Sequence, residues 1–324
     1  MSATTAPFWL DAEEILDDLE AGRSRPLFRP QFAPPVPAVP LPRRPRLGGP
    51  LFLATWLFAR AVGRLHPRLA RRALWRLWFT PWVGNTPDVD LPDGALGLDR
   101  MVAGRQVRGF VLGTGPTVLA IHGWGGSSRD MVSIAQDLAA AGHRVVVPDL
   151  PAHGASPGRM VNLYELAAAL AELIEVEGPV QAVVSHSLGF PGTVLAIENM
   201  VEMGLSHPRV VVAIAPARRI ESAVERFVQR GRLRPALHRE LRAQLERAFG
   251  DDIWERLDAV EALPHLPIRG VVVHDTRDRE IPYREAEALS DAWGVELVTT
   301  EGLGHRRILT DESVRGIVLT HVAR

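Results

Sequence analysis

The stretch Val180-Gln-Ala-Val-Val-Ser-His-Ser-Leu-Gly189 decides the fold of this 324-residue chain. It begins as an apolar, β-branched run that predicts a buried strand, and a helical pattern follows over residues 192–203. The spacing between them predicts a turn so tight that the residues two before and two after Ser187 must be small, as Ser185 and Gly189 are. Such a turn holds a serine hydroxyl exposed, in a strained backbone conformation, at the start of a helix.

The chain after residue 85 alternates short β-branched runs with helical stretches. This alternation predicts an α/β fold with a mostly parallel, doubly wound sheet that is covered by helices on both faces. Ligands of such sheets lie beyond the carboxyl ends of the strands, where the polar motifs fall. The predicted strands are residues 106–112, 117–121, 144–148, 180–185, 210–214, 268–274 and 295–299.

Four further motifs follow predicted strands. A glycine-rich bend lets backbone N–H groups approach a substrate carbonyl and stabilise its developing negative charge. A serine hydroxyl needs a base to become a nucleophile, and that base needs an acid to orient it. The four motifs are Thr117-Val-Leu-Ala-Ile-His-Gly-Trp-Gly-Gly126, Val145-Val-Val-Pro-Asp-Leu-Pro-Ala-His-Gly-Ala-Ser156, Val271-Val-Val-His-Asp-Thr-Arg-Asp-Arg-Glu-Ile-Pro282 and Glu301-Gly-Leu-Gly-His305.

With these motifs the chain from about residue 106 to its end resembles the α/β-hydrolase family, whose catalytic residues follow in the order serine, acid, histidine. The resemblance implies Ser187 as nucleophile, Asp278 as the acid and His305 as the base. It also implies that the N–H groups of Trp124 and Leu188 form the oxyanion hole. It further implies that the helical interval of about residues 217–265 forms a cap over the site.

Several assignments keep an alternative. Asp275 and Glu280 compete with Asp278 as the acid, although Asp275 is typical of a residue that stabilises a turn. His122 is interpreted as a brace for its loop, with proton transfer as the alternative. The family more often has glycine where this chain has Ser185.

The predicted function is a serine hydrolase that cleaves a small-molecule carboxylic ester or thioester, as a carboxylesterase or lipase does, through an acyl-enzyme intermediate. An acyltransferase or C–C hydrolase using the same residues is one alternative. A non-catalytic scaffold of hydrolase fold that binds a membrane or a partner is another. Epoxide hydrolases and haloalkane dehalogenases are disfavoured, because they resemble the family but carry aspartate at the position of Ser187.

The sequence divides into three parts. Residues 1–49 are acidic and then rich in proline, which predicts poor order. Residues 50–84 are predicted to form amphipathic helices, with arginines on one side of the second helix and apolar residues that include Leu69 on the other. These helices either pack on the catalytic domain or make peripheral contact with anionic lipid through residues 50–82. Residues 85–324 are predicted to form the hydrolase domain.

Composition and charge argue against several kinds of site and of binding partner. The chain has no cysteine, which excludes disulfides and thiolate zinc sites, and no cofactor or metal is expected. A formal net charge of -1 and the absence of a known nucleic-acid-binding module argue against nucleic-acid binding. The acidic start does not resemble a secretory signal, and no apolar stretch is long enough to span a bilayer. We therefore expect a cytoplasmic protein, with association with membranes as the open alternative.

Overall fold

A computed structural model of the protein describes residues 67–81 and 90–323. The predictions for residues 1–49 and for the first helix of segment 50–84 lie outside the described residues. The strands are β1 (Leu96–Val102), β2 (Arg105–Leu112), β3 (Thr117–Ile121), β4 (Arg144–Asp149), β5 (Val180–His186), β6 (Val210–Ile214), β7 (Arg269–Asp275) and β8 (Glu296–Thr300). The α-helices are α1 (Pro67–Phe79), α2 (Val132–Ala140), α3 (Leu163–Val176), α4 (Gly189–Glu202), α5 (Ile220–Arg230), α6 (Pro235–Phe249), α7 (Ile253–Arg256), α8 (Ala259–Ala262), α9 (Tyr283–Trp293), α10 (Gly304–Arg307) and α11 (Glu312–Val322).

The strands form one eight-stranded sheet in the order β1-β2-β4-β3-β5-β6-β7-β8. Neighbours from β4 to β8 run parallel, and β1 and β2 add an antiparallel edge. This confirms the predicted mostly parallel sheet. Strand β1 was not predicted, because as an edge strand with one partly exposed face it contains Gly97, Asp99 and Arg100 instead of a continuous apolar run.

Helices bury both faces of the sheet, as the uninterrupted apolar strands require. Successive side chains of a strand point to opposite faces. Val118 and Ala120 of β3 accordingly pack in one core with residues of α2 and α11. Leu119 and Ile121 of the same strand pack in the other core with α3 and α4.

Helices α5 to α8 form an insertion between β6 and β7, which we call the helical insertion. Arg218, just before α5, is bound to the chain between α7 and α8, because its guanidinium donates to both carboxylate oxygens of Asp258 at 2.7–3.1 Å. Arg219 forms an isolated β-bridge with Asp258 beside this ion pair. The start of α5 and the start of α8 are therefore held side by side.

Helix α1 packs on the helical insertion through aromatic side chains. Trp75 is fully buried and stacks on Phe249 of α6, with ring centroids 6.2 Å apart, and Phe79 lies 6.0 Å from the same ring. Leu69, which was predicted on the apolar side, is 48% exposed, because the two aromatic side chains shift the buried face around the helix. The apolar side of α1 is thus covered by the protein itself, and lipid contact through residues 50–82 stays a prediction.

None of the helices within the described residues combines the length and the apolar character that crossing a membrane requires.

Candidate active site

Strand β5 ends in a strained turn that carries Ser187. The backbone of this serine has φ of 53°, a left-handed conformation that is costly for a residue with a side chain. Its N–H donates to the Ile214 carbonyl at 3.1 Å and its own carbonyl accepts from Ala217 N–H at 3.2 Å, so the backbone of Ser187 is held by the end of β6 and the chain directly after it. A side chain at Gly189 would lie 2.7 Å from the His122 carbonyl oxygen, which explains the need for glycine there.

The structure brings Ser187, His305 and Asp278 into one hydrogen-bonded row. The Ser187 Oγ lies 2.9 Å from His305 Nε2, and His305 Nδ1 lies 2.7 Å from Asp278 Oδ2. A carboxylate only accepts, so Nδ1 carries the proton and Nε2 is left free to accept the serine proton. Ser187 is 8% and His305 9% exposed, so the row is largely shielded from water. A hydroxyl placed against an imidazole that a carboxylate orients is suited to nucleophilic attack.

Asp278 is held as a carboxylate by its surroundings. Burial alone would raise its pKa, but the hydrogen bond and charge of His305 and the N–H groups of Ile281 and Glu280 outweigh burial and lower the pKa below its usual value. Those two N–H groups donate to the other carboxylate oxygen at 3.0 and 2.6 Å. The side chain therefore stays charged and fixed in orientation against His305.

Asp275, the competing acid, has a different role in the structure. Its carboxylate accepts from the N–H groups of Arg277, Gly302 and Leu303 and from the Thr300 hydroxyl. These bonds tie the turn after β7 to the loop after β8, which carries His305. Asp275 thus organises the two loops and does not contact the imidazole.

The predicted oxyanion donors lie on the two loops that flank Ser187. Gly123 approaches the serine so closely that an added Cβ would lie 2.7 Å from Ser187 Cβ, and Trp124 follows directly. Within residues 67–81 and 90–323, neither Trp124 N–H nor Leu188 N–H donates to another residue. Both amides, one on each loop beside Ser187, therefore stay available to a substrate oxygen.

His122 braces the first of these loops. Its Nδ1–H donates to the Gly123 carbonyl at 2.7 Å, and its Nε2 accepts from Leu150 N–H at 3.0 Å. Both ring nitrogens are engaged by the backbone, so His122 connects the loops after β3 and β4. The bracing interpretation agrees with this geometry, which leaves no ring nitrogen for proton transfer.

The loop after β4 is supported by buried polar side chains. Asp149 accepts from the N–H groups of Ser128 and Ala155. His153 donates through Nδ1–H to the Pro151 carbonyl at 2.9 Å. Burial, and after it the neighbouring His122, lowers the pKa of His153 to about 3, so this imidazole is neutral in the folded protein.

Two buried histidines next to the row were not predicted from the sequence. His186 Nε2–H donates to the His305 carbonyl at 2.9 Å, and burial followed by the charge of His305 lowers its pKa well below the usual value. His274 Nε2–H donates to the Ile281 carbonyl at 3.1 Å and lies 3.6 Å from Asp278 Oδ2. Their positions inside quoted motifs were the only signal. The partner of His186 lies 119 residues away along the chain, and His274 meets Ile281 because the turn after β7 folds back on it.

Ser187 opens into a cavity of about 570 Å³. A volume of this size is typical of sites that bury most of a small organic ligand. The loops that carry the row form one side of the cavity, and its largely apolar remainder comes mainly from α1, the segment at the start of α3, and α5 of the helical insertion. The wall residues used below are Leu77, Trp78, Phe79, Val161, Leu163, Ile220, Ala223 and Phe227.

The described part of the chain contains no cluster of three or more histidine, aspartate or glutamate side chains suited to hold a metal ion.

Known proteins resemble this chain in sequence pattern and in fold. Residues 118–316 match the model of the Alpha/beta hydrolase family. No protein with curated function matches the sequence.

Solved structures share the fold at low sequence identity. A membrane phospholipase A, described as a bacterial virulence factor, is 19% identical, with 85% of this chain and 94% of that chain covered and a TM-score of 0.54. An esterase from Thermogutta terrifontis is 19% identical, with 70% and 99% covered and a TM-score of 0.53. A haloalkane dehalogenase from Bradyrhizobium elkani USDA94 is 17% identical, with 70% and 97% covered and a TM-score of 0.52. Since these three proteins are named for different reactions, the likeness shows the fold alone.

Proposed function

The chain belongs to the alpha/beta hydrolase family, and from that premise we propose that it is a serine hydrolase which cleaves a carboxylic ester or thioester through an acyl-enzyme intermediate. The observation that carries the proposal is the row Ser187–His305–Asp278, with distances of 2.9 and 2.7 Å and the proton of His305 directed at the acid. The dehalogenase chemistry of a structural neighbour is not proposed, because the strained turn carries serine and not aspartate. We call these three residues the triad.

In the first half of the reaction, Ser187 Oγ forms a bond to the acyl carbon while His305 Nε2 takes the hydroxyl proton. The carbonyl oxygen becomes an oxyanion, which the N–H groups of Trp124 and Leu188 stabilise. The bond to the alcohol or thiol then breaks, and the leaving group takes the proton from His305. The acyl group remains on Ser187 as an ester.

In the second half, water replaces the leaving group. His305 Nε2 takes a proton from the water as it attacks the acyl carbon, and returns that proton to Ser187 Oγ when the acid leaves. Asp278 remains a carboxylate throughout and stabilises the protonated imidazole. The role of the helical insertion in this proposal is that of a cap, because α5 forms one wall of the cavity above Ser187.

The test is labelling with a fluorophosphonate probe together with hydrolysis of p-nitrophenyl acetate. Ser187→Ala is expected to lose labelling and to lower kcat by roughly 10⁶-fold, as removal of a triad serine does elsewhere. Ser185→Ala is the matched control, because the buried Ser185 hydroxyl has no hydrogen-bond partner among the described residues. Labelling that persists in Ser187→Ala, or is lost in Ser185→Ala with the fold intact, would contradict the assignment of the nucleophile.

A further inference from the structure

Helix α1 lies outside the residues that match the family, yet it forms part of the cavity wall. Leu77, Trp78 and Phe79 at its C-terminal end face the cavity that opens at Ser187. Across from them stands α5, whose Phe227 meets Trp78 edge to face, with ring centroids 5.4 Å apart at 78°. A segment that precedes the sheet in sequence therefore closes the substrate space together with the helical insertion.

The end of α1 is fixed in place by contacts on both sides. Trp75 and Phe79 pack on Phe249 of α6, and both are buried. The Phe79 carbonyl accepts from Val161 N–H at 3.0 Å, which ties the helix end to the loop before α3. That loop supplies Val161 to the same cavity, and the first residue of α3, Leu163, follows it there. Trp78 is thus held between anchored neighbours, so its indole is a fixed part of the wall.

Apolar side chains dominate this part of the cavity. Ile220, Ala223 and Phe227 face it from α5, and Trp78 faces it from α1. When a hydrocarbon group enters the cavity, it moves from water to an apolar surface. The free energy gained is proportional to the apolar area buried. A short acyl group such as acetyl would leave most of the 570 Å³ unused.

We propose that Trp78 and Phe227 form a specificity wall that selects esters with a long apolar acyl group over acetyl esters. The expected effect on kcat/KM rests on the proposed function. Binding of an apolar group to this wall does not depend on catalysis. Trp78 acts as a binding residue and not as a member of the triad. The upstream segment of the chain therefore determines which acyl groups the triad acts on.

The first experiment compares kcat/KM for p-nitrophenyl octanoate and p-nitrophenyl acetate in the full chain. Each methylene that is buried contributes about fourfold, so loss of contact with two methylenes in Trp78→Ala is expected to lower the octanoate to acetate ratio about fifteenfold. Ala223→Phe, which fills the cavity from the same helix as Phe227, is expected to lower the same ratio, and Trp78→Phe is expected to keep it within about threefold of that of the original protein. Leu69→Ala is the matched control, because Leu69 lies on the exposed side of the same helix.

The second experiment measures binding without turnover. Octanoate is titrated calorimetrically into Ser187→Ala and into Ser187→Ala combined with Trp78→Ala, and the second protein is expected to bind at least tenfold more weakly. Trp78-dependent binding in a protein that never reacts with serine probes would support the wall and refute the proposed function. An unchanged octanoate to acetate ratio in folded Trp78→Ala and Ala223→Phe would overturn the wall and leave the hydrolase intact.

Discussion

Replacing Gly123 with alanine is expected to impair catalysis by displacing the nucleophile. The added Cβ would lie 2.7 Å from Ser187 Cβ and 3.3 Å from its Oγ. Gly123 has no left-handed backbone that an alanine would strain, so the effect is steric. His186 Nδ1, at 3.1 Å from the same added atom, closes another side of the space. The loop or the serine must therefore move.

The size of the movement follows from these distances. Widening the Cβ–Cβ separation from 2.7 Å to the 3.4 Å of an ordinary contact requires about 0.7 Å in a tightly packed site. A shift of that size away from His305 would lengthen the 2.9 Å Oγ–Nε2 bond to about 3.6 Å, which is no longer a hydrogen bond. Misplacement on this scale costs about 10²-fold in rate. We therefore expect kcat for p-nitrophenyl acetate to fall at least 10²-fold in Gly123→Ala.

The assay is steady-state hydrolysis of p-nitrophenyl acetate, with thermal unfolding to show that the variant is folded. Gly192→Ala serves as the control, because its Cβ would meet Leu163 and Leu170 at an ordinary 3.6 Å and its helix α4 starts beside Ser187. The control is expected to keep kcat within about threefold of the original value. If Gly123→Ala does the same, the close approach of the loop to the serine does not exist as described.

Two further results are expected. Asp278→Asn should lower kcat about 10⁴-fold with little change in KM, because an amide no longer holds the proton of His305 on Nδ1; retention of a tenth of the activity would show that another group orients the imidazole. His153→Asn should make stability less dependent on pH. In the folded protein the pKa of His153 is about 3, below the 6.5 of an unfolded chain, so the unfolded state takes up the extra proton and stability is lost as pH falls below 6.5. Between pH 7.5 and pH 5 this loss amounts to about 2 kcal/mol for His153. Urea unfolding at both pH values should show a smaller decrease in the variant, and equal decreases would contradict the assignment of a neutral buried imidazole.

The sequence predicted the parallel strands well, because each is a continuous β-branched run bounded by turns. Residues 117–121 and 210–214 agree with β3 and β6 to the residue. The edge strand β1 gave no such signal, since Gly97, Asp99 and Arg100 interrupt its apolar residues. A short β-branched run makes a strand visible in a single sequence even where its burial is partial, as in β8.

The row of Ser187, His305 and Asp278 could also be predicted from the sequence. Each lies within a few residues of the end of a strand, and parallel strands bring their carboxyl ends to one edge of the sheet. His186 and His274 were not predicted, because the hydrogen bond of His186 joins residues 119 apart and that of His274 depends on how the turn after β7 folds back.

The cavity wall was the least predictable part of the site. The tryptophans of α1 were evident in the sequence, but periodicity says only that a helix has an apolar side. Whether that side meets lipid, the helical insertion or a substrate depends on how the helix docks. Trp78 could be assigned to the cavity only once α5 and its Phe227 were seen opposite.

The burial of α1 has a practical consequence for producing the protein in pieces. A fragment that starts at residue 90 would retain the sheet and the triad, but the rings of Phe249 and Phe227 would lose the tryptophans that now cover them. Newly uncovered apolar patches of this kind promote aggregation. Boundaries drawn from family similarity alone would cut through a hydrophobic core, and recombinant fragments should begin no later than residue 67.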